Sequence, residues 1–321
     1  MRLTLLLLCA AAPLCAQFKL EKTIPLPGVE GRIDHLAMDV KGHRLLLSAL
    51  GTDEVEVVDV EAGKIIHKLT GMHEPQGTAY VPAANKIYVA NGKDGKLRIF
   101  DGVSYKPAGE VEFGDDADNV RYDVAHKLVW VGYADGGIAS VDIATGKKLK
   151  AISVDGHPES FQIEQKGTRI FANIPDAKEI EVLDRLQGKI LAKWPMTTLT
   201  QNFPMALDEA NHRVFVVCRK PAKLVVIDTE SGKVISQLDC PGDSDDMFYD
   251  AVRKRIYVAG GNGFLEAFAQ KSADQYQSLG KVKTAEGART GLFVPDLNRV
   301  YLAVPKKGAN PQAEVRVYTI D

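Results

Sequence analysis

Cysteine is scarce, with four in 321 residues, and Cys9 and Cys15 lie within the first sixteen. Cys218 and Cys240 are left to pair, yet the strand pattern described below puts them two strand spacings apart, about 9–10 Å. A disulfide needs Cα atoms within about 7 Å, so both read as small buried hydrophobes. Neither sign of charge dominates: 40 basic residues face 42 acidic ones, with no charged tail. That balance lacks the electrostatic footprint of a nucleic-acid or anionic-membrane binder. No apolar run is long enough to span a bilayer, and no stretch shows helical periodicity. A Gly-x-Ser-x-Gly elbow is missing, and Ser160, Ser231 and Ser244 have no evident base beside them. Gly260-Gly261-Asn262-Gly263 lies between two strand-like runs, so it reads as a hairpin and not a phosphate cradle. The two tryptophans, Trp130 and Trp194, fall in strands as packing residues.

The N-terminus departs from the rest. Arg2, the apolar run from Leu3 to Ala12, and Pro13-Leu14-Cys15-Ala16 before Gln17 have the layout of a secretory signal peptide. Neither Cys9 nor Cys15 follows the small residues that a lipid anchor requires. The expectation is a signal peptide over 1–16, one domain over 17–321, and a periplasmic or secreted protein. Removing Arg2 leaves 39 basic against 42 acidic residues.

What the chain has is repetition. A basic residue opens a β-rich run at Arg44, Lys86, Lys127, Arg169, Arg213, Arg255 and Arg299, at separations of 42, 41, 42, 44, 42 and 44. A second marker is an Asp ending the third strand at Asp59, Asp101, Asp142, Asp184 and Asp228; in four copies Gly-Lys follows four residues later. Asp bonds its own turn and Gly supplies positive φ, so these carboxylates read as turn chemistry and not a catalytic ring. Four strands per unit of about 40–45 residues are what a β-propeller requires. The alternation in Val55-Glu56-Val57 and Leu97-Arg98-Ile99 fits sheets packed face to face. The last copy has three strands, and the missing fourth is found at residues 18–26 with Phe18, Leu20, Ile24 and Leu26. The prediction is an all-β, seven-bladed propeller of four-stranded blades, its last blade closed by the N-terminal strand.

The run Ile87-Tyr88-Val89-Ala90-Asn91, echoed by Ile256-Tyr257-Val258-Ala259-Gly260, resembles the YVTN-repeat propellers, specifically the exported bacterial YncE-like group. The resemblance covers the chain after residue 16 and includes Gly31-Arg32-Ile33-Asp34-His35 and His157-Pro158-Glu159-Ser160. No Trp-Asp dipeptide occurs, which disfavours the WD-repeat branch. The family implies a seven-bladed propeller outside the cytoplasm and fixes no activity.

In a propeller each blade's first strand lines the central channel, so the segments entering those strands are where chemistry would sit. They are far more polar than the strands that follow. The candidates for a channel-mouth ligand site are Arg32, Asp34, His35, His73, Glu74, Gln76, Asp118, Asn119, His157, Glu159, Asn202, Asp245, Asp246 and Arg289. One reading is solvation of a water-filled channel. A second is a binding mouth for a small polar ligand or a partner protein. A third is a divalent metal site: oxygen ligands from Glu74, Asp118, Asn119, Glu159, Asn202 and Asp245 would suit calcium, whereas His35 and His157 pull toward a transition metal. Gluconolactonase-type propellers hold a catalytic ion in such a place; the similarity is one of architecture and residue type. It implies a hydrolase or lyase in which the ion polarises a carbonyl. The basic cluster Arg219, Lys220 and Lys223 reads as a solvated hairpin. The leading expectation is a monomeric binding or scaffold module.

Overall fold

The computed structural model describes residues 18–134 and 136–321, so the expected signal peptide over 1–16 lies outside the described residues. Among the described residues twenty-eight strands form seven antiparallel four-stranded sheets. Blade 1 holds β2 (Leu36–Asp39), β3 (Arg44–Ala49), β4 (Glu54–Asp59) and β5 (Lys64–Leu69). Blade 2 holds β6 (Pro75–Val81), β7 (Lys86–Asn91), β8 (Lys96–Asp101) and β9 (Pro107–Glu112). Blade 3 runs from β10 (Ala117–Asp123) through β11 (Leu128–Tyr133) and β12 (Gly137–Asp142) to β13 (Lys148–Ser153). Blade 4 runs from β14 (Ser160–Ile163) through β15 (Arg169–Ile174) and β16 (Glu179–Asp184) to β17 (Lys189–Pro195). Blade 5 comprises β18 (Thr200–Asp208), β19 (Arg213–Lys220), β20 (Ala222–Asp228) and β21 (Val234–Asp239). Blade 6 comprises β22 (Ser244–Asp250), β23 (Arg255–Gly260), β24 (Phe264–Gln270) and β25 (Tyr276–Lys283). Blade 7 is built from β26 (Gly291–Val294), β27 (Arg299–Val304) and β28 (Glu314–Ile320), completed on its outer edge by β1 (Phe18–Pro25).

The closing strand pairs as the sequence predicts, with Phe18 opposite Ile320 and Ile24 opposite Val315. Alternation sends its two faces into different interfaces. Ile24 packs with Leu45 and Val58 of blade 1, and Phe18 packs with Tyr257 of blade 6. Among the described residues the buried hydrophobics form a cluster at each of the seven blade interfaces, so the ring has no open edge. Large second-strand side chains dominate: Tyr88, Trp130, Phe171, Phe215, Tyr257 and Tyr301 are each at most 1% exposed. No α-helix occurs among the described residues, and no helix there is long and apolar enough to cross a membrane.

The Asp and Gly of the repeat have a local physical cause. Oδ1 of Asp59, Asp101, Asp142, Asp184 and Asp228 accepts from the backbone N–H groups two and three residues on, at 2.7–3.2 Å. Gly63, Gly146, Gly188 and Gly232 take φ of 67°, 68°, 71° and 70° to close those turns. In blades 1, 4 and 5 the arginine opening the second strand staples its blade to the next. Arg44 binds Asp39 and donates to Gly102 O of blade 2, and Arg169 binds Glu164 and donates to Thr229 O of blade 5. Arg213 reaches Asp274 of blade 6, in the loop between β24 and β25. Cys218 is fully buried, Cys240 is half-buried, and both thiols are free. Trp130 is buried in the interface of blades 3 and 4, and Trp194 packs against that of blades 4 and 5.

Candidate functional site

The loops entering the first strands bring three charged groups to one end of the channel. The first centres on His157 and Glu159, which immediately precede β14, and on Asp118 at the start of β10. His157 Nε2 lies 3.5 Å from Asp118 Oδ2, and its Nδ1 lies 3.8 Å from Asp116 Oδ2. Gln76 Nε2 donates to Asp116 Oδ1 at 2.6 Å. One ligand atom each from Asp118, His157 and Glu159 falls within 4.8 Å of the others. The Asn119 side-chain amide donates to Glu159 O, which ties β10 to the blade 4 entry loop.

The second group holds Asp245 between two guanidinium groups. Arg219 Nη2 binds its Oδ1, and Arg289 Nε lies 2.8 Å from its Oδ2. Arg289 also binds Asp243 at 3.0 Å. Arg219 donates from Nε to Ser244 O at 2.9 Å, and its guanidinium lies 3.7 Å from the centroid of the Phe203 ring. The third group centres on His35. Its Nδ1 lies 3.2 Å from Asp246 Oδ1 and its Nε2 3.6 Å from Asp34 Oδ1, while Arg32 Nη2 sits 2.6 Å from Asp34 Oδ2. Asp246 Oδ2 also accepts from Gly291 N at 2.9 Å, joining blades 6, 7 and 1 at the channel.

Burial and neighbouring charge set the protonation states. Burial disfavours the charged imidazole of His35, but Asp246 and Asp34 outweigh it and push the group up to about 10. The same contest, won by Asp118 and Glu159, takes His157 up to about 9. Burial and the nearby Asp118 charge raise Glu159 to about 7. Asp34, fully buried, rises to about 6. Asp118 goes the other way: burial would raise it, but its His157 hydrogen bond and the positive charges of His35 and Arg32 hold it below the usual range. At neutral pH the mouth therefore contains two imidazolium groups, anionic Asp118, and Glu159 near its midpoint.

Several sequence candidates lie elsewhere. His73 and Glu74 are exposed, and Glu74 takes a positive φ of 55° with its N–H bonded to Asp53 and its carbonyl to Gly92 N. Asn202 is fully buried at the seam of blades 4 and 5, where its amide donates to Asn173 Oδ1 and Glu179 O, both at 3.0 Å. Asp245 is engaged by arginines. The oxygen-only set proposed for calcium therefore does not assemble; Asp118 and Glu159 meet, with His157 as third member. Arg219 corrects the reading of Arg219, Lys220 and Lys223 as a solvated hairpin. The second strand runs antiparallel to the first, so its C-terminal end returns to the mouth. Lys220 is exposed and Lys223 pairs with Asp239, away from that set.

A closed ring of seven four-stranded sheets, with its charges gathered at one end of the channel, is a seven-bladed β-propeller. No family model matches the sequence. The chain is a distant homologue of YncE, a protein described as uncharacterized: it is 25% identical to YncE of Salmonella typhimurium over 234 residues, 71% of this chain. The match spans 61% of the length of YncE. Among solved structures, a chain of Kuenenia stuttgartiensis hydrazine synthase superposes with a TM-score of 0.75 at 17% identity, covering 91% of this chain and 98% of that one. A chain of the mitotic checkpoint complex superposes with a TM-score of 0.78 at 12% identity, covering 100% and 99%. At these identities the two superpositions establish the fold alone.

Proposed function

We propose that this protein is an exported binding protein that captures a small polar ligand at the channel mouth. The observation that carries the reading is unused hydrogen-bonding capacity in a buried place. Among the described residues Asp118 Oδ1, Asn119 Oδ1 and His157 Nδ1 are buried without hydrogen-bond partners, on residues that open β10 or immediately precede β14. Buried polar atoms ordinarily have partners, and leaving one unmade costs about 1–3 kcal/mol. A ligand carrying both donors and acceptors would satisfy all three and displace water. Export rests on the signal-like layout of Arg2 to Ala16. A thermal-shift screen of amino acids, hydroxy acids and sugar acids tests the binding reading: a saturable hit weakened at least about tenfold by Glu159→Gln supports it. The same response in wild type and Glu159→Gln would count against it.

One observation favours a second reading, a metal-dependent hydrolase or lyase. The Asp118, His157 and Glu159 set mixes one nitrogen with carboxylate oxygens, which suits zinc or a neighbouring transition metal better than calcium. Ligands of a tetrahedral zinc ion stand about 3.3 Å apart, close to the 3.5 Å between His157 Nε2 and Asp118 Oδ2. These residues would hold the ion, which would supply Lewis acidity toward a carbonyl oxygen. This reading predicts about one equivalent of metal on the purified protein, lost in His157→Ala, and a lower melting temperature with chelator. A metal-free protein indifferent to chelator and to added zinc sinks it.

A further inference from the structure

Continuous with the mouth, where His35, Asp245 and Asp246 line it, the channel contains a cavity of about 330 Å³. Both carboxylates are already engaged, Asp245 by Arg219 and Arg289 and Asp246 by His35 and Gly291 N. Strand register identifies one layer of its wall. In each blade a first-strand residue stands opposite the large second-strand core residue, as Ala79 stands opposite Tyr88 and Arg121 opposite Trp130. The counterparts of Arg121 in the other six blades are Ala37, Ala79, Gln162, Ala206, Phe248 and Leu292. All but Ala206 line the cavity itself. Three alanines leave space in this layer, Phe248 and Leu292 make an apolar wall, and Arg121 is its one charge.

Arg121 differs from the other cations around the channel. His35 is held by Asp246 and Asp34, Arg32 by Asp34, and Arg219 and Arg289 by Asp245. Among the described residues Arg121 has no ion pair. Its one hydrogen bond runs from Nη1 to Val120 O at 3.0 Å, and its guanidinium lies 5.8 Å from the Phe161 ring centroid. Asp246 and Asp118 act on it only through space, and burial makes its charge costlier than usual. A guanidinium carries five donors in a planar fork, cannot deprotonate in a protein, and matches a carboxylate bidentately. Gln162, the other polar member of the layer, spends its Nε2 on Met205 O at 2.7 Å.

We propose that this cavity binds a small organic carboxylate, its anionic end paired with Arg121 and its apolar body against Phe248 and Leu292. The proposal rests on the reading that the mouth admits a small ligand, and it names the class. A cavity of this size is at the small end of ligand sites, which suits an organic acid and excludes a chain of sugars or a peptide.

The test is isothermal titration of the full-length protein with benzoate, with benzamide as its uncharged counterpart and with inorganic phosphate. Benzoate is expected to bind at one site, with benzamide and phosphate weaker by at least about tenfold. Arg121→Gln is expected to lose benzoate by a similar factor while its melting temperature stays at or above that of wild type, since no carboxylate loses a partner. Arg121→Lys is expected to retain weakened binding. The comparison of benzoate with benzamide uses wild type alone, so it stands even if a variant misfolds. Absence of benzoate binding, equal binding of benzamide or phosphate, or full binding by Arg121→Gln overturns the proposal. A mouth ligand that survives Arg121→Gln but not Glu159→Gln overturns this inference and leaves the mouth reading standing. Benzoate binding that needs Arg121 and ignores Glu159→Gln and His157→Ala supports this inference, and the thermal-shift screen then decides the mouth reading separately.

Discussion

Single residues separate scaffold from site most sharply where two arginines can be compared. Arg219 neutralises a half-buried Asp245, so Arg219→Ala leaves that carboxylate with Arg289 alone. Breaking a buried pair typically costs about 3–5 kcal/mol; with one partner remaining, about 2 kcal/mol is expected in urea unfolding. Arg121 has no such partner, and its replacement by Gln should change stability by less than about 1 kcal/mol. His35 makes a pH prediction. Its pKa is about 10 folded against 6.5 unfolded, so its stabilising contribution is complete below about 6.5 and is lost as pH rises through 10. The groups facing it are Asp246 on β22, Asp34 beside it and Asn119 on β10, with the Asp118 charge acting from the same strand. Asp34, raised from 3.8 to about 6, works in the lower window and costs stability as pH climbs between those values. Unfolding free energy measured between pH 7 and pH 10 should fall more steeply for wild type than for His35→Gln. Parallel curves would contradict the imidazolium assignment.

Among the elements, β1 carries the largest single consequence. It supplies the outer edge of blade 7 and contributes Phe18 and Ile24, 4% and 0% exposed, to two different interfaces. Burying such side chains stabilises by about 1.5–3 kcal/mol each, before counting the ladder with β28. A chain lacking residues 18–26 should therefore lose a sum comparable to a typical domain's stability of about 5–15 kcal/mol and fail to give a cooperative transition. Ile24→Ala alone should cost about 2–4 kcal/mol. A sharp, unshifted melting curve for the truncated chain would show that closure by β1 is dispensable. This strand was legible in the sequence because its partner blade counted only three strands, and Phe18 to Leu26 repeats the pattern of other fourth strands. The turns were legible for the same kind of reason: Asp59 and Gly63 act on backbone within four residues of themselves.

For the whole molecule, what could be read depended on how local the physics was. Seven anchors at near-constant spacing gave the number of blades, because each anchor sits beside its own hairpin. Which mouth residues converge depended on contacts between residues from different blades. Glu74 and Asp118 both precede or begin a first strand, yet a positive φ at Glu74 leaves it on the rim while Asp118 begins its strand inside the channel. Asn202 belongs to a blade seam because β18 places it opposite Cys218. Arg219 and Arg121 were missed for complementary reasons: one returns to the mouth on a second strand, and the other lies deeper along a first strand than the entry segments. The repeat builds a ring that closes on itself, and the positions where the repeat is broken meet at one end of its axis.

The most direct measurement is the thermal-shift screen of amino acids, hydroxy acids and sugar acids, run on wild type, Glu159→Gln and His157→Ala under one buffer. The mouth account predicts a saturable rise in melting temperature for at least one class in wild type, and a loss of at least about tenfold in affinity in both variants. No shift for any class, or a shift unchanged in both variants, would contradict it.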